Sequence, residues 1–188
     1  MRKSLIAIAI ASTLSASAFA ADTYTIDARH TFPSFEVSHL GFSIQRGRFN
    51  KTSGTITLDM ADHSGSIDIS IDATSIDTGL AELEKHMQGE DFFDVAKYPA
   101  ITFKSKSLRF DGDRLTGADG DFTLLGVTRP VQLKVDQFRC GQHPMTKVVM
   151  CGANATTAIK RSEFGMTKYA PAVGDEVKIA IQVEAMRK

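Results

Sequence analysis

The chain has 188 residues, with 22 basic and 22 acidic side chains, five histidines, twelve phenylalanines and no tryptophan. That length suits one domain with a substantial core. The balanced charge supplies no electrostatic footprint for nucleic acid or for an anionic membrane surface.

The first twenty residues read as a secretory signal peptide. Arg2 and Lys3 form a basic start, Leu5 to Ala11 an apolar run, and Ala18-Phe19-Ala20 an A-x-A cleavage site. The run is too short to span a membrane. Cleavage after Ala20 leaves one domain over 21–188, with 20 basic against 22 acidic residues, a net charge of −2, and eleven phenylalanines. No later stretch approaches the apolar length of a span, so a soluble mature protein without stable membrane insertion is expected.

Tyr24-Thr25-Ile26-Asp27 predicts the first strand, and Pro33 interrupts pairing after it. Phe35, Val37 and His39 share one face of the next strand while Glu36 and Ser38 share the other, the period-two pattern of a half-buried strand. Leu40-Gly41-Phe42 breaks the register. Gly47 and Phe49 open another strand, and Gly54 marks a bend or bulge. Ile56, Leu58 and Met60, then Ile67, Ile69, Ile71 and Ala73, alternate with polar residues on either side of a turn at Ala61 to Gly65, predicting an antiparallel hairpin. Its second run, Ser66 to Ser75, would extend over roughly 33 Å, which suggests a tall barrel.

Between Ser75 and Phe103 the period changes. Leu80, Leu83 and Met87 recur at i, i+3, i+7 and predict one short helix over about 79–89. Asp77 or Thr78 would cap its start and Gly89 would end it. Phe92-Phe93 follow, then Tyr98-Pro99 leads into a strand at Ile101-Thr102-Phe103. The insertion is either a lid or plug on the end of a barrel, or a connector that covers core.

Leu108 and Phe110 run into the turn signal Asp111-Gly112-Asp113, and Leu115, Phe122 and Leu124 carry the returning strand. Gly126 bends it, and Pro130 must sit at an edge or strand start. Val131, Leu133 and Val135 alternate next. Cys140 and Cys151 follow; an even pair in an exported protein predicts a disulfide, worth about 3 kcal/mol for so short a loop. Two thiols without a second pair argue weakly for a metal. Ala153, Ala155, Thr157 and Ile159, then Val177, Ile179, Ile181 and Val183, complete the alternation. About eight antiparallel strands with one helical insertion give an all-β fold, best read as an up-and-down barrel. A two-sheet sandwich would show the same alternation.

Catalytic motifs do not emerge. His30, His39 and His86 fall in ordered stretches without metal-ligand spacing, and His63 and His143 fall in turns. His39, on an apolar face, is either a satisfied core histidine or a ligand. There is no G-x-S-x-G, dinucleotide fingerprint or P-loop, and Glu90-Asp91 reads as a solvated turn. No catalytic residue, metal or cofactor is assigned, and the chain is read as a non-enzyme. What remains is the interior: an eight-stranded barrel can hold one ligand, and each methylene removed from water is worth about 0.8 kcal/mol. The alternative is a secreted structural or adhesion barrel filled by its own side chains.

Several segments together carry a family resemblance. They are Tyr24 to Asp27, Phe35-x-Val37-x-His39-Leu40-Gly41, Gly47-x-Phe49, Ser75-Ile76-Asp77-Thr78-Gly79, His86-Met87 and Asp91 to Phe103. Gly126 to Val131, Arg161-Ser162-x-Phe164-Gly165-Met166 and Gly174-Asp175-x-Val177 continue the order. The set resembles the YceI-like family of periplasmic polyisoprenoid-binding proteins. One departure is Leu83-Glu84, where the family often reads Arg-Asp before its helical histidine. The resemblance implies a lipocalin-like barrel in the periplasm of a Gram-negative bacterium, as a carrier, store or stress-protection protein, with a homodimer as a further implication. Its ligand would be a non-covalently held long-chain isoprenoid, a quinone or a similar amphiphile. Motif position and alternation together put Phe35, Val37, His39, Phe49, Met87 and Phe92 in the cavity lining. Phe93, Phe103, Phe122, Leu124, Phe164 and Met166 join them. Arg161 and Lys168 are candidates for the lipid head group, with solvated surface as their other reading.

Overall fold

The computed structural model describes residues 21–188, and the expected signal peptide lies outside them. The strands are β1 Asp22–Ile26, β2 Phe32–His39, β3 Ser43–Phe49, β4 Thr52–Asp59, β5 Ser64–Asp72 and β6 Ile76–Asp77. The helix α1, Ala81–Met87, comes next, then β7 Ala100–Asp111, β8 Arg114–Leu124, β9 Val127–Gln142, β10 Val149–Lys160 and β11 Val173–Arg187.

These eleven strands make eight staves, because three staves are broken. β1 and β2 both lie antiparallel to β11 and pair in turn with β4 and β3, so 22–39 acts as one interrupted strand. β3 with β4, and β5 with β6, are likewise single staves with a gap. Neighbours in sequence are neighbours in space, and the pairing of β1 with β11 closes the sheet into an antiparallel barrel rather than a sandwich.

The three gaps share one height. Asn50 N–H donates to Ser75 O, and Asp72 N–H donates to Lys51 O, both at 3.0 Å. Thr31 Oγ1 donates to Glu184 O and accepts from Glu184 N–H, both at 3.1 Å. Side chains and loop carbonyls thus satisfy backbone groups that the interrupted ladder leaves over. The expected straight run to Ser75 is therefore corrected: β5 ends at Asp72, whose carboxylate accepts from Thr74 N–H and starts a 3-10 turn, Ala73–Ser75.

The helix also differs from expectation at its start. Leu80 occupies the N-cap without a side-chain bond. Instead the Glu84 carboxylate reaches back to accept from Thr78 N–H at 2.8 Å and Gly79 N–H at 3.1 Å. No residue of α1 is buried, so the helix is a rim. The closing role falls to Phe92 and Phe93, buried in the turn that follows it. Pro130 lies in β9 before the stretch that pairs with β10, so its missing N–H costs no ladder bond on that side.

α1, the β2–β3 tip and the β10–β11 loop gather at one end of the barrel. The opposite end holds the β4–β5 and β7–β8 turns, joined by His63 Nε2 and Asp113 Oδ1 at 3.2 Å, and the hairpin crossed by the Cys140–Cys151 disulfide.

Candidate functional site: an apolar cavity along the barrel

Alternation turns one face of every stave inward. On β10 that face carries Ala153, Ala155 and Thr157, and on β8 it carries Ala118. Side chains this short cannot meet the Ile and Val side chains opposite, and a hollow of about 200 Å³ remains. A single water needs only about 10–15 Å³ on the same measure. The lining runs from Met87, Phe92 and Met166 at the helical end to Phe138 and Cys151 near the disulfide, and its exposed surface is apolar.

The structure brings together in this wall Phe35, Val37, Phe49, Met87, Phe92 and Phe93, with Phe103, Phe122, Leu124 and Met166. Two of the expected lining residues fall outside it. His39 ends β2 at the rim, paired with Ser43 and Val173, and its side chain is not part of the wall although Val173 is. Phe164 is 1 % exposed but sits in the 3-10 turn Arg161–Phe164, which ends the β10 alternation, and it packs edge-on against Phe122 at 5.6 Å. Sequence alternation marked Ala153 and Ala155 as strand residues only. Their small size on an inward face was the available signal for a hollow.

Close approaches shape the wall. A Cβ on Gly120 would stand 2.7 Å from the Phe103 ring, so glycine lets that ring lie across β8. Phe49 meets Phe93 edge-on at 5.4 Å. Above them Phe92 stacks on Tyr169 at 5.9 Å, and His86 meets Phe92 edge-on at 5.1 Å. The turn after α1 is thereby held against the 165–172 loop as a lid.

Among the described residues, one cation lines the cavity. Arg161 is 2 % exposed, and its guanidinium donates to Gly174 O at 2.8 Å, Met166 O at 2.8 Å and Val173 O at 2.9 Å. A guanidinium has five N–H donors, so two remain. Burial pushes its pKa down, and the charge of Asp175 pulls the other way. Asp175 accepts from Ser162 N–H and Oγ, both at 2.9 Å, and these bonds hold its own pKa low. Lys168 is outside the wall, 3.5 Å from Asp91 and above the Tyr169 ring. Thr52 Oγ1 is a buried hydroxyl in a lining residue without a hydrogen-bond partner.

Asp27, His30 and Glu184 also come together, at the break between β1 and β2. Both Asp27 oxygens are already engaged, Oδ1 by Arg29 N–H at 3.0 Å and Oδ2 by His30 Nδ1 at 2.8 Å. This cluster ties the seam and stands apart from the cavity.

Comparison with known proteins matches the same architecture. The YceI-like domain profile covers residues 24–185. Protein YceI of Escherichia coli O157:H7 is 37% identical over 193 aligned residues, spanning 100% of both chains. Burkholderia cenocepacia BcnA superposes with a TM-score of 0.72 at 25% identity, covering 85% of this chain and 98% of that one. A polyisoprenoid binding domain from Saccharophagus degradans, implicated in plant cell wall breakdown, shares the fold at a TM-score of 0.66 and 20% identity, covering 88% of this chain and 98% of its own.

Proposed function

The chain belongs to the YceI-like family, and from that premise we propose that it binds a long-chain isoprenoid or similar amphiphilic lipid inside its barrel. The observation that carries this reading is the apolar hollow, whose walls stop short of meeting. A flexible hydrocarbon chain gains about 0.8 kcal/mol for each methylene moved there from water, offset in part by the cost of ordering it. The Saccharophagus neighbour, a polyisoprenoid binding domain of the same fold, supports the isoprenoid class. A hollow interior counts against the structural or adhesion barrel filled by its own side chains.

The ten wall residues are the proposed tail site. Arg161, with two free N–H donors, is the proposed contact for an oxygen-bearing head group, and Lys168 is second, reached only if its pair with Asp91 opens. A periplasmic carrier or store fits the disulfide and the Gram-negative source of the relatives.

Native mass spectrometry and organic extraction of the purified protein test the reading, with Phe92→Asp as the variant. The expected outcome is a co-purifying lipid in the wild type, lost in Phe92→Asp while the circular dichroism of the barrel is retained. A wild-type protein that carries and takes up no lipid sinks the proposal. Undiminished lipid in the variant moves the site away from the lid.

A further inference from the structure

The helical end of the barrel exposes apolar side chains that the chain's own packing does not use. Seven large apolar side chains are exposed among the described residues, and five of them, Leu40, Phe42, Ile44, Leu80 and Tyr169, sit at this end. That concentration separates them from the scattered apolar residues of an ordinary surface. Phe42 is 91% exposed. Leu40 beside it has φ of 55°, a left-handed conformation that a side chain with Cβ adopts at a cost. Asn or Gly would serve the turn better. The β2–β3 tip thus breaks two local rules and leaves both side chains in solvent, the pattern expected where a surface meets something else.

This tip adjoins the wall of the hollow. Leu40 N–H donates to Ala172 O at 2.7 Å, and the next residue, Val173, lies in the cavity wall. Tyr169, on the same loop, stacks on Phe92 of the lid. The inference rests on the reading that the cavity holds a lipid. Such a molecule resides in a bilayer, and it reaches a cavity without crossing water only if the mouth touches the hydrocarbon.

We propose that the β2–β3 tip and the lid dock on the hydrocarbon boundary of a phospholipid bilayer, with Phe42 as the inserted anchor. Lipid then passes between the tip and the lid. Charge plays little part. Arg46 beside the tip is paired with Glu36 at 2.7 Å, Lys168 with Asp91, and the chain has as many acidic as basic residues. One aromatic anchor with a few apolar neighbours gives a reversible contact rather than an insertion.

The test is co-flotation of the full protein with phosphatidylcholine vesicles, with and without phosphatidylglycerol, at low and high salt. Wild type is expected to float in both lipids with little dependence on salt. Phe42→Ser should lower the partition tenfold or more, in line with one Phe side chain withdrawn from hydrocarbon. Met145→Ser, at the opposite end, should leave it unchanged, and both variants should melt like wild type. Wild type that stays in the aqueous fraction overturns the proposal, as does flotation that needs phosphatidylglycerol and is released by salt. Sedimentation velocity that finds a wild-type dimer split by Phe42→Ser also overturns it, because a second copy would then cover the tip. Uptake of geranylgeraniol added from ethanol, without vesicles, should persist in Phe42→Ser. Wild type that takes up none overturns the cavity reading itself, which keeps the two failures distinct.

Discussion

Asp27 shows how a single side chain holds a seam. Burial pushes its pKa up, but hydrogen bonds from Arg29 and His30 outweigh burial and bring it down to about 2. A carboxyl with a lowered folded pKa contributes stability that is complete above the ordinary value of 3.8 and is lost as pH falls towards about 2. Asp27→Asn should therefore destabilise the barrel by about 1–2 kcal/mol at neutral pH, and the difference from wild type should vanish at the acid end of a urea-denaturation series. A gap that stays constant across that range would remove Asp27 from the account. Arg161 shows what a sequence hides at this scale. Of its two readings, head-group contact or solvated surface, burial against the carbonyls of Met166, Val173 and Gly174 removes the second. Backbone carbonyls exist at every position, so no residue type announces such partners. Phe35, Phe103 and Phe122 were legible because strict alternation fixed their face.

The elements divide along the same line. The β9–β10 hairpin was readable from Val131 to Val135 and from Ala153 to Ile159, and its two cysteines stand directly opposite each other. Cys140→Ser with Cys151→Ser should cost about 3 kcal/mol in the chain-entropy model. For a chain of this size that lowers the thermal midpoint by roughly 6–12 °C, and scanning calorimetry reads it; an unchanged midpoint would mean that the hairpin closes as well without the bond. The helix was visible as a change of period at Leu80, Leu83 and Met87, but its role was not. Leu80 is 54 % exposed and only Met87 reaches the wall, because the turn after the helix carries Phe92 and Phe93 inward. The interruption at Ala73–Ser75 left no trace, since Ile71 and Ala73 keep the alternation across it. It is set by contacts with Lys51 and Asn50 from another stave.

For the whole molecule, eight staves in sequence order followed from alternation and turns. Closure did not, because it depends on Tyr24 meeting Arg187 across nearly the entire chain. Hollowness is a matter of summed volumes at one level of the barrel, and alternation treats Ala155 and Ile159 alike. If the hollow is filled by lipid in the native protein, ligand and fold are linked. Extraction should lower the thermal midpoint, by an amount equivalent to about 2.7 kcal/mol where lipid stands at a hundredfold its dissociation constant. Adding the lipid back should restore it, and a midpoint indifferent to extraction would uncouple the two. The shared height of the three gaps has a mechanical corollary. Staves without interruption would make a rigid tube, able to widen only by unzipping from rim to rim. Here β3 meets β6 only through Arg48 and Phe49, so one quadrant above the seam is hinged on a short line of bonds. Any widening of the tube is expected to begin there, beside Phe42 and the lid, with the disulfide half holding.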